Sequence, residues 1–83
     1  MAESIDSNID QRVRETLARI FNLPVAEVAS LSMGLHPGWD SMGHMQLVME
    51  IEKEFGLRFP TYEIAELLST DAIVKAVARH RQK

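Results

Sequence analysis

Apolar residues recur along the chain at helical spacing. Ile9, Val13, Leu17, Ile20 and Phe21 follow i, i+4, i+8, i+11 and i+12, which is one face of a helix. Ser7 is a candidate N-cap, and Asp10, three residues on, makes a weak capping box. Asn22 and Pro24 stop the run, so the spacing predicts a first helix over 7–21. A second run places Leu47, Val48, Ile51 and Phe55 on one face, with Met42, Met45 and Met49 on an adjacent flank. Asp40 as N-cap and Gly56 just past the end set this helix at 41–55. Thr61 is placed as the cap of a short helix from 62 to 67 or 68. Ser69 or Thr70 caps a last helix over 71–81, where Ile73, Ala76 and Val77 face inward. Arg79, His80, Arg81 and Lys83 at its C-terminal end suit the helix dipole. No segment alternates with period two for long enough to read as a strand.

Between the first two helices lies the least regular stretch, residues 22–40. Pro24 to Val28 fits one short helical turn, and Leu23, Val28 and Leu31 are placed to pin the connection to the core. Gly34, Pro37 and Gly38 then interrupt regular structure. A connection this long in a small domain is often functional. The expectation is an all-α, small four-helix bundle: three main helices, one short helix and a long loop between helices 1 and 2. Residues 1–83 read as a single domain without repeat or linker.

Composition narrows the function. Eighty-three residues bury a small core, which argues against a deep catalytic cleft. With no cysteine there is no disulfide framework, thiolate metal site or thiol nucleophile. A net charge of −3 does not suit a general nucleic-acid surface. No apolar run exceeds three residues, so no membrane insertion is expected. The start of the chain has neither a basic nor an apolar signal region. A cytoplasmic location is the expectation.

The informative segment is Gly38-Trp39-Asp40-Ser41-Met42, where the loop meets the second helix. A serine in the first turn of a helix sits beside unpaired N–H groups and the positive end of the dipole. Both stabilise a phosphate attached there. Asp40 can cap the helix, and can offer a carboxylate to a Mg²⁺ brought by a modifying enzyme. A serine that attacks a substrate needs a general base and an oxyanion hole instead. His36 and His44 are the nearest imidazoles, with no evident third group to orient them, and no metal-ligand spacing links them to each other or to His80. On these residues alone, a plain helix cap is the simpler account.

The wider context is a resemblance. Asp40-Ser41-Met42 resembles the Asp-Ser-Leu motif of acyl carrier proteins and peptidyl carrier domains. Leu47-Val48-Met49-Glu50-Ile51-Glu52-Lys53-Glu54-Phe55-Gly56 resembles the rest of that family's second helix. Leu57-Arg58-Phe59-Pro60 resembles its Ile-x-Ile-Pro link, and Thr70-Asp71-Ala72-Ile73 the entry to its last helix. Ile20-Phe21-Asn22-Leu23-Pro24 resembles the end of its first. The likeness runs in order over nearly the whole chain.

This resemblance implies that Ser41 is esterified to 4′-phosphopantetheine by a phosphopantetheinyl transferase that uses coenzyme A and Mg²⁺. Asp40 matches the aspartate that assists recognition by the transferase. The arm supplies the thiol, so the protein is a shuttle for acyl thioesters and not a catalyst. Its partners would be acyl- or aminoacyl-loading and processing enzymes, and a monomer is expected. Cargo is open: fatty acid, polyketide or specialised lipid intermediates, or an aminoacyl group as on peptidyl and D-alanyl carriers. An unmodified helical interaction module, or a small hydrolase built on Ser41, are the rivals outside the family.

Departures from the family pattern shape the expected partner surface. Met42 replaces the leucine after the serine, and with Met45 and Met49 forms a soft strip, read either as docking surface or as core. Gly43 and Gln46 stand where fatty-acid carriers are often acidic, and Lys53 replaces a further acid, while Glu50, Glu52 and Glu54 remain. The pattern favours a specialised carrier over a housekeeping one. The partner-binding candidates are Trp39, Met42, Met45, Met49, Gln46, Glu50, Glu52 and Lys53, with Trp39 also a candidate for packing the loop onto the bundle. His44 reads as a satisfied, partly buried histidine, or as lying along the arm's path. Ile51, Phe55, Phe59, Ile64, Leu68 and Ile73 are candidates to line a cargo cavity, against a reading as plain core.

Overall fold

A computed structural model describes the backbone of residues 2–81 and the side chains from residue 8 onward. Its helices are α1 (Ala2–Phe21), α2 (Ser41–Phe55), α3 (Thr61–Ile64) and α4 (Thr70–Arg81), with one 3₁₀ turn at Val25–Glu27. The architecture is the expected all-helical bundle, and no strand occurs among the described residues. Against it, α1 packs on both α2 and α4.

Local chemistry sets the ends of α2. Asp40 is extended and its Oδ1 accepts the Gly43 N–H at 2.8 Å, so it is the N-cap. Gly56 takes the left-handed conformation, φ 65°, and the Leu57 N–H returns to the Glu52 carbonyl. The same closure ends α1, where Asn22 has φ 57° and the Leu23 N–H reaches the Ala18 carbonyl. Ser69 Oγ accepts the Ala72 N–H and caps α4, which starts one residue before the expected position.

Two helices have bounds that need correction. Helix α1 begins at Ala2, so the backbone at Ser7 lies inside the helix. Neither glycine nor proline occurs in residues 2–8, so nothing in the chain interrupts the helix there. The short helix starts at Thr61, with Pro60 as its cap residue and no side-chain cap bond, and ends at Ile64. Thr61 is therefore its first residue. Residues 65–66 continue as a turn, and the Glu66 and Leu67 N–H groups bond to the Glu63 and Ile64 carbonyls.

Val13, Leu17, Val28, Trp39, Leu47, Ile51, Ile73 and Val77 form the centre of the core. Each fully buried Leu, Ile or Val stabilises the bundle by about 1.5–3 kcal/mol. All four core positions read for α2, namely Leu47, Val48, Ile51 and Phe55, are buried. Val28 is fully buried, and Leu23 and Leu31 are partly buried against the core, as expected for the start of the loop.

The long loop is fastened to the start of α4. Thr70 Oγ1 donates to the Val28 carbonyl at 2.6 Å, and the Thr70 N–H donates to the Leu31 carbonyl at 3.1 Å. The Met33 N–H reaches the Leu68 carbonyl at 2.8 Å. These bonds satisfy backbone groups that an irregular segment would otherwise leave unpaired against the core.

Candidate functional site: the loop–helix junction at Ser41

Ser41 is the first residue of α2 and its side chain is exposed. Asp40 Oδ1 holds the Gly43 N–H, and the Asp40 carbonyl accepts the His44 N–H at 2.7 Å. The Ser41 and Met42 N–H groups lie in the same first turn, beyond the reach of any intrahelical acceptor. Together with the dipole they favour a phosphate ester on Ser41. The residues present thus fit a phosphate-linked group: an accessible hydroxyl, free donors beside it, and a carboxylate at the adjoining position.

Gly43 has a steric reason to be glycine. A Cβ there would collide with the carbonyl oxygen of Gly38, which lies against the first turn of α2. Contact this close is open only to a residue without a side chain. The absence of an acid at this position follows from loop packing. Gly38 in turn donates its N–H to His36 Nδ1 at 2.9 Å, and the His36 ring rests on Phe21, with centroids 5.2 Å apart.

Trp39 must be moved out of the partner-facing set. Its relative exposure is 0%, and its ring stacks on Phe21 with the His44 ring at its edge. It packs the loop onto the bundle and offers no surface to a partner. The indole N–H donates to His44 Nδ1 at 3.0 Å, while His44 Nε2 lies 2.9 Å from the Ile64 carbonyl. An indole nitrogen only donates and a carbonyl only accepts, so His44 carries its proton on Nε2. It is a buried histidine with both ring nitrogens bonded, as the satisfied reading held. With those nitrogens engaged, His44 is not available as a base for Ser41, and the hydrolase reading loses its closest imidazole.

Along α2 the three methionines are exposed: Met42 at 80%, Met45 at 50% and Met49 at 63%. Core packing therefore does not account for them. Gln46 and Lys53 are exposed as well. The glutamates are engaged within the molecule. Glu50 lies 3.5 Å from Arg19, and Glu54 lies 3.0 Å from Arg12, whose guanidinium covers the Phe55 ring. Glu52 Oε2 accepts the Phe59 N–H at 2.8 Å, tying α2 to the link that follows it. Of the two carboxylates expected on the docking face, Glu52 is thus held by a hydrogen bond within the chain and Glu50 by an exposed ion pair.

Of the six cavity candidates, Ile51, Phe55, Phe59 and Ile73 are buried core, Ile64 is half-buried and Leu68 is exposed. None lines the pocket of about 380 Å³ that opens between α3 and α4. That pocket is bordered by Pro60, Tyr62, Glu63, Glu66, Arg79 and His80. In its wall, the buried Glu63 meets Arg79 and His80, each at 2.7 Å. Burial pushes the Glu63 carboxyl up, but the bonds from His80 and Arg79 outweigh it and hold it below the ordinary glutamate value. Sequence reasoning missed this cluster, because partners 16 and 17 residues apart leave no periodic signal.

Comparison with known proteins agrees with this geometry. Residues 11–77 match the family described as "Phosphopantetheine attachment site". The chain belongs to that family, whose members act as carriers and are generally not catalysts. Among its relatives is an acyl carrier protein of Rickettsia bellii, 29% identical over 75 residues, covering 89% of this chain and 93% of the relative. Another is the non-reducing polyketide synthase dbaI of Emericella nidulans, 30% identical over 71 residues. That match covers 86% of this chain but only 3% of the synthase. Among the described residues, no helix is long and apolar enough to cross a membrane.

Proposed function

We infer that the chain is one acyl carrier domain, modified at Ser41 with 4′-phosphopantetheine from coenzyme A. One observation carries the reading: an exposed serine opens an Asp-capped helix inside the region matched to the attachment-site family. Once attached, the arm supplies the thiol on which acyl groups travel as thioesters. This chain's own residues present and orient the serine. Asp40 fixes the first turn and stands next to Ser41 for recognition by a phosphopantetheinyl transferase, with Mg²⁺ as the transferase's ion.

The cargo is an acyl intermediate of fatty-acid, polyketide or specialised lipid synthesis, in keeping with the two relatives. Partner enzymes dock on Met42, Met45, Met49 and Gln46, with Lys53 at the edge. Glu50 and Glu52 contribute less, because each is already engaged within the molecule. The site of action is the cytoplasm, and the working form is a monomer.

The test is intact mass after incubation with coenzyme A, Mg²⁺ and a broad-specificity transferase, beside Ser41→Ala. The expected outcome is one phosphopantetheine increment on the wild type and none on the variant. A folded wild type that gains no mass with several transferases would leave Ser41 as no more than the first residue of an Asp40-capped helix.

A further inference from the structure

His44 clasps the loop at two points. Its backbone N–H donates to the Asp40 carbonyl and its ring Nδ1 accepts the Trp39 indole N–H. Residues 39 and 40 are the two that precede Ser41. Trp39 is also held through its backbone: its N–H reaches the His36 carbonyl at 2.9 Å, and its carbonyl accepts the Gly34 N–H at 3.3 Å. Burial alone does not require this arrangement. A phenylalanine at 39 would stack on Phe21, and an apolar residue at 44 would fill its space without needing a partner. What the polar pair adds is direction, because a buried donor and acceptor tolerate few arrangements that leave both satisfied.

We propose that Trp39 and His44 are positioning residues for phosphopantetheine transfer. Their hydrogen bond fixes the backbone at 39–40, and with it the Asp40 cap and the Ser41 hydroxyl, in the arrangement the transferase binds. This rests on the carrier reading. In the transfer, Ser41 Oγ bonds to the phosphorus on the pantetheine side of the coenzyme A pyrophosphate. The P–O bond to the other phosphate breaks, adenosine 3′,5′-bisphosphate leaves, and the serine proton passes to a base on the transferase or to water. Without the Trp39–His44 bond the loop visits other arrangements, and only a fraction of molecules is competent. The apparent affinity falls by that fraction, while the bound complex reacts as before.

Three variants separate direction from bulk. Trp39→Phe keeps a stacking ring and removes the donor. His44→Gln keeps a donor near the place of Nε2, for Ile64, and gives up the bond to Trp39. His44→Asn keeps an acceptor near the place of Nδ1, for Trp39, and gives up the bond to Ile64. With one broad-specificity transferase, coenzyme A and Mg²⁺, Trp39→Phe and His44→Gln should raise KM for the carrier about 3- to 10-fold and leave kcat within about twofold. His44→Asn should stay near the wild type. Emission from Trp39, the one tryptophan, should shift to the red in His44→Gln and not in His44→Asn.

Wild-type KM in both Trp39→Phe and His44→Gln would overturn the proposal. So would KM values that follow the melting temperatures of the three variants, whichever bond each retains. A folded wild type that gains no mass with several transferases would remove the carrier reading itself, and the positioning role with it.

Discussion

Two histidines fasten the helices to the short α3, and they do so by different chemistry. His44 joins Trp39 to the Ile64 carbonyl in a buried, uncharged relay. His80 joins Arg79 on the Glu63 carboxylate at the edge of a pocket. The uncharged relay stands at the end that presents Ser41, while the charged cluster is built on the last turn of α4. An uncharged relay keeps its geometry through direction and exclusion of water, so it is sensitive to shape. A carboxylate held by a guanidinium and an imidazole depends on proton occupancy and is partly screened, since Arg79 is 63% exposed.

Loss of shape at the Ser41 end should have the largest effect. Trp39→Ala removes the largest buried side chain and should destabilise by about 3–5 kcal/mol in urea unfolding. Gly43→Ala comes next. At an unobstructed helical position this change gains about 0.5–1 kcal/mol. Here the collision with the Gly38 carbonyl should reverse the sign, with a loss of about 1–3 kcal/mol in the same assay. A gain in stability would show that the loop moves aside without cost.

At the charged end, Glu63→Gln should cost about 1–2 kcal/mol near neutral pH. Glu63 titrates lower in the folded protein than in the unfolded chain. Its contribution is therefore full above the ordinary glutamate pKa of about 4.3 and is lost as pH falls through the depressed folded value. Acid unfolding of Glu63→Gln should lack this part of the pH dependence. An identical acid limb in the two proteins would mean that the cluster is broken in solution. The smallest effect belongs to Glu54→Gln, about 0.2–1 kcal/mol and fading at high salt, because its pair with Arg12 is partly exposed.

The difference between the two ends also explains what the sequence disclosed. Helix α2 was legible to the residue, because Asp40 and Gly56 act on their own neighbours. The start of α1 was not, since Ser7 is an acceptable cap and nothing in the chain obliges the helix to begin there. The place of Ser41 at the start of α2 could be read from the Asp40 cap before it. The burial of Trp39, the need for glycine at 43 and the internal pairing of Glu50 and Glu54 depend on residues brought near only by folding. Glu63 carried no signal at all, and its partners lie a helix away.

The ties from Val28, Leu31 and Met33 to residues 68 and 70 also order events in time. On the ribosome, Ser41 emerges well before the segment that fastens its loop, so the serine is accessible before it is properly presented. A transferase that requires the fastened loop would thereby modify finished chains and pass over nascent ones. Stalled chains carrying a C-terminal linker, with either only residues before 68 or residues past 70 outside the exit tunnel, would reveal this as a jump in labelling by fluorescent coenzyme A. Equal labelling of the two would show that the transferase needs only the local helix.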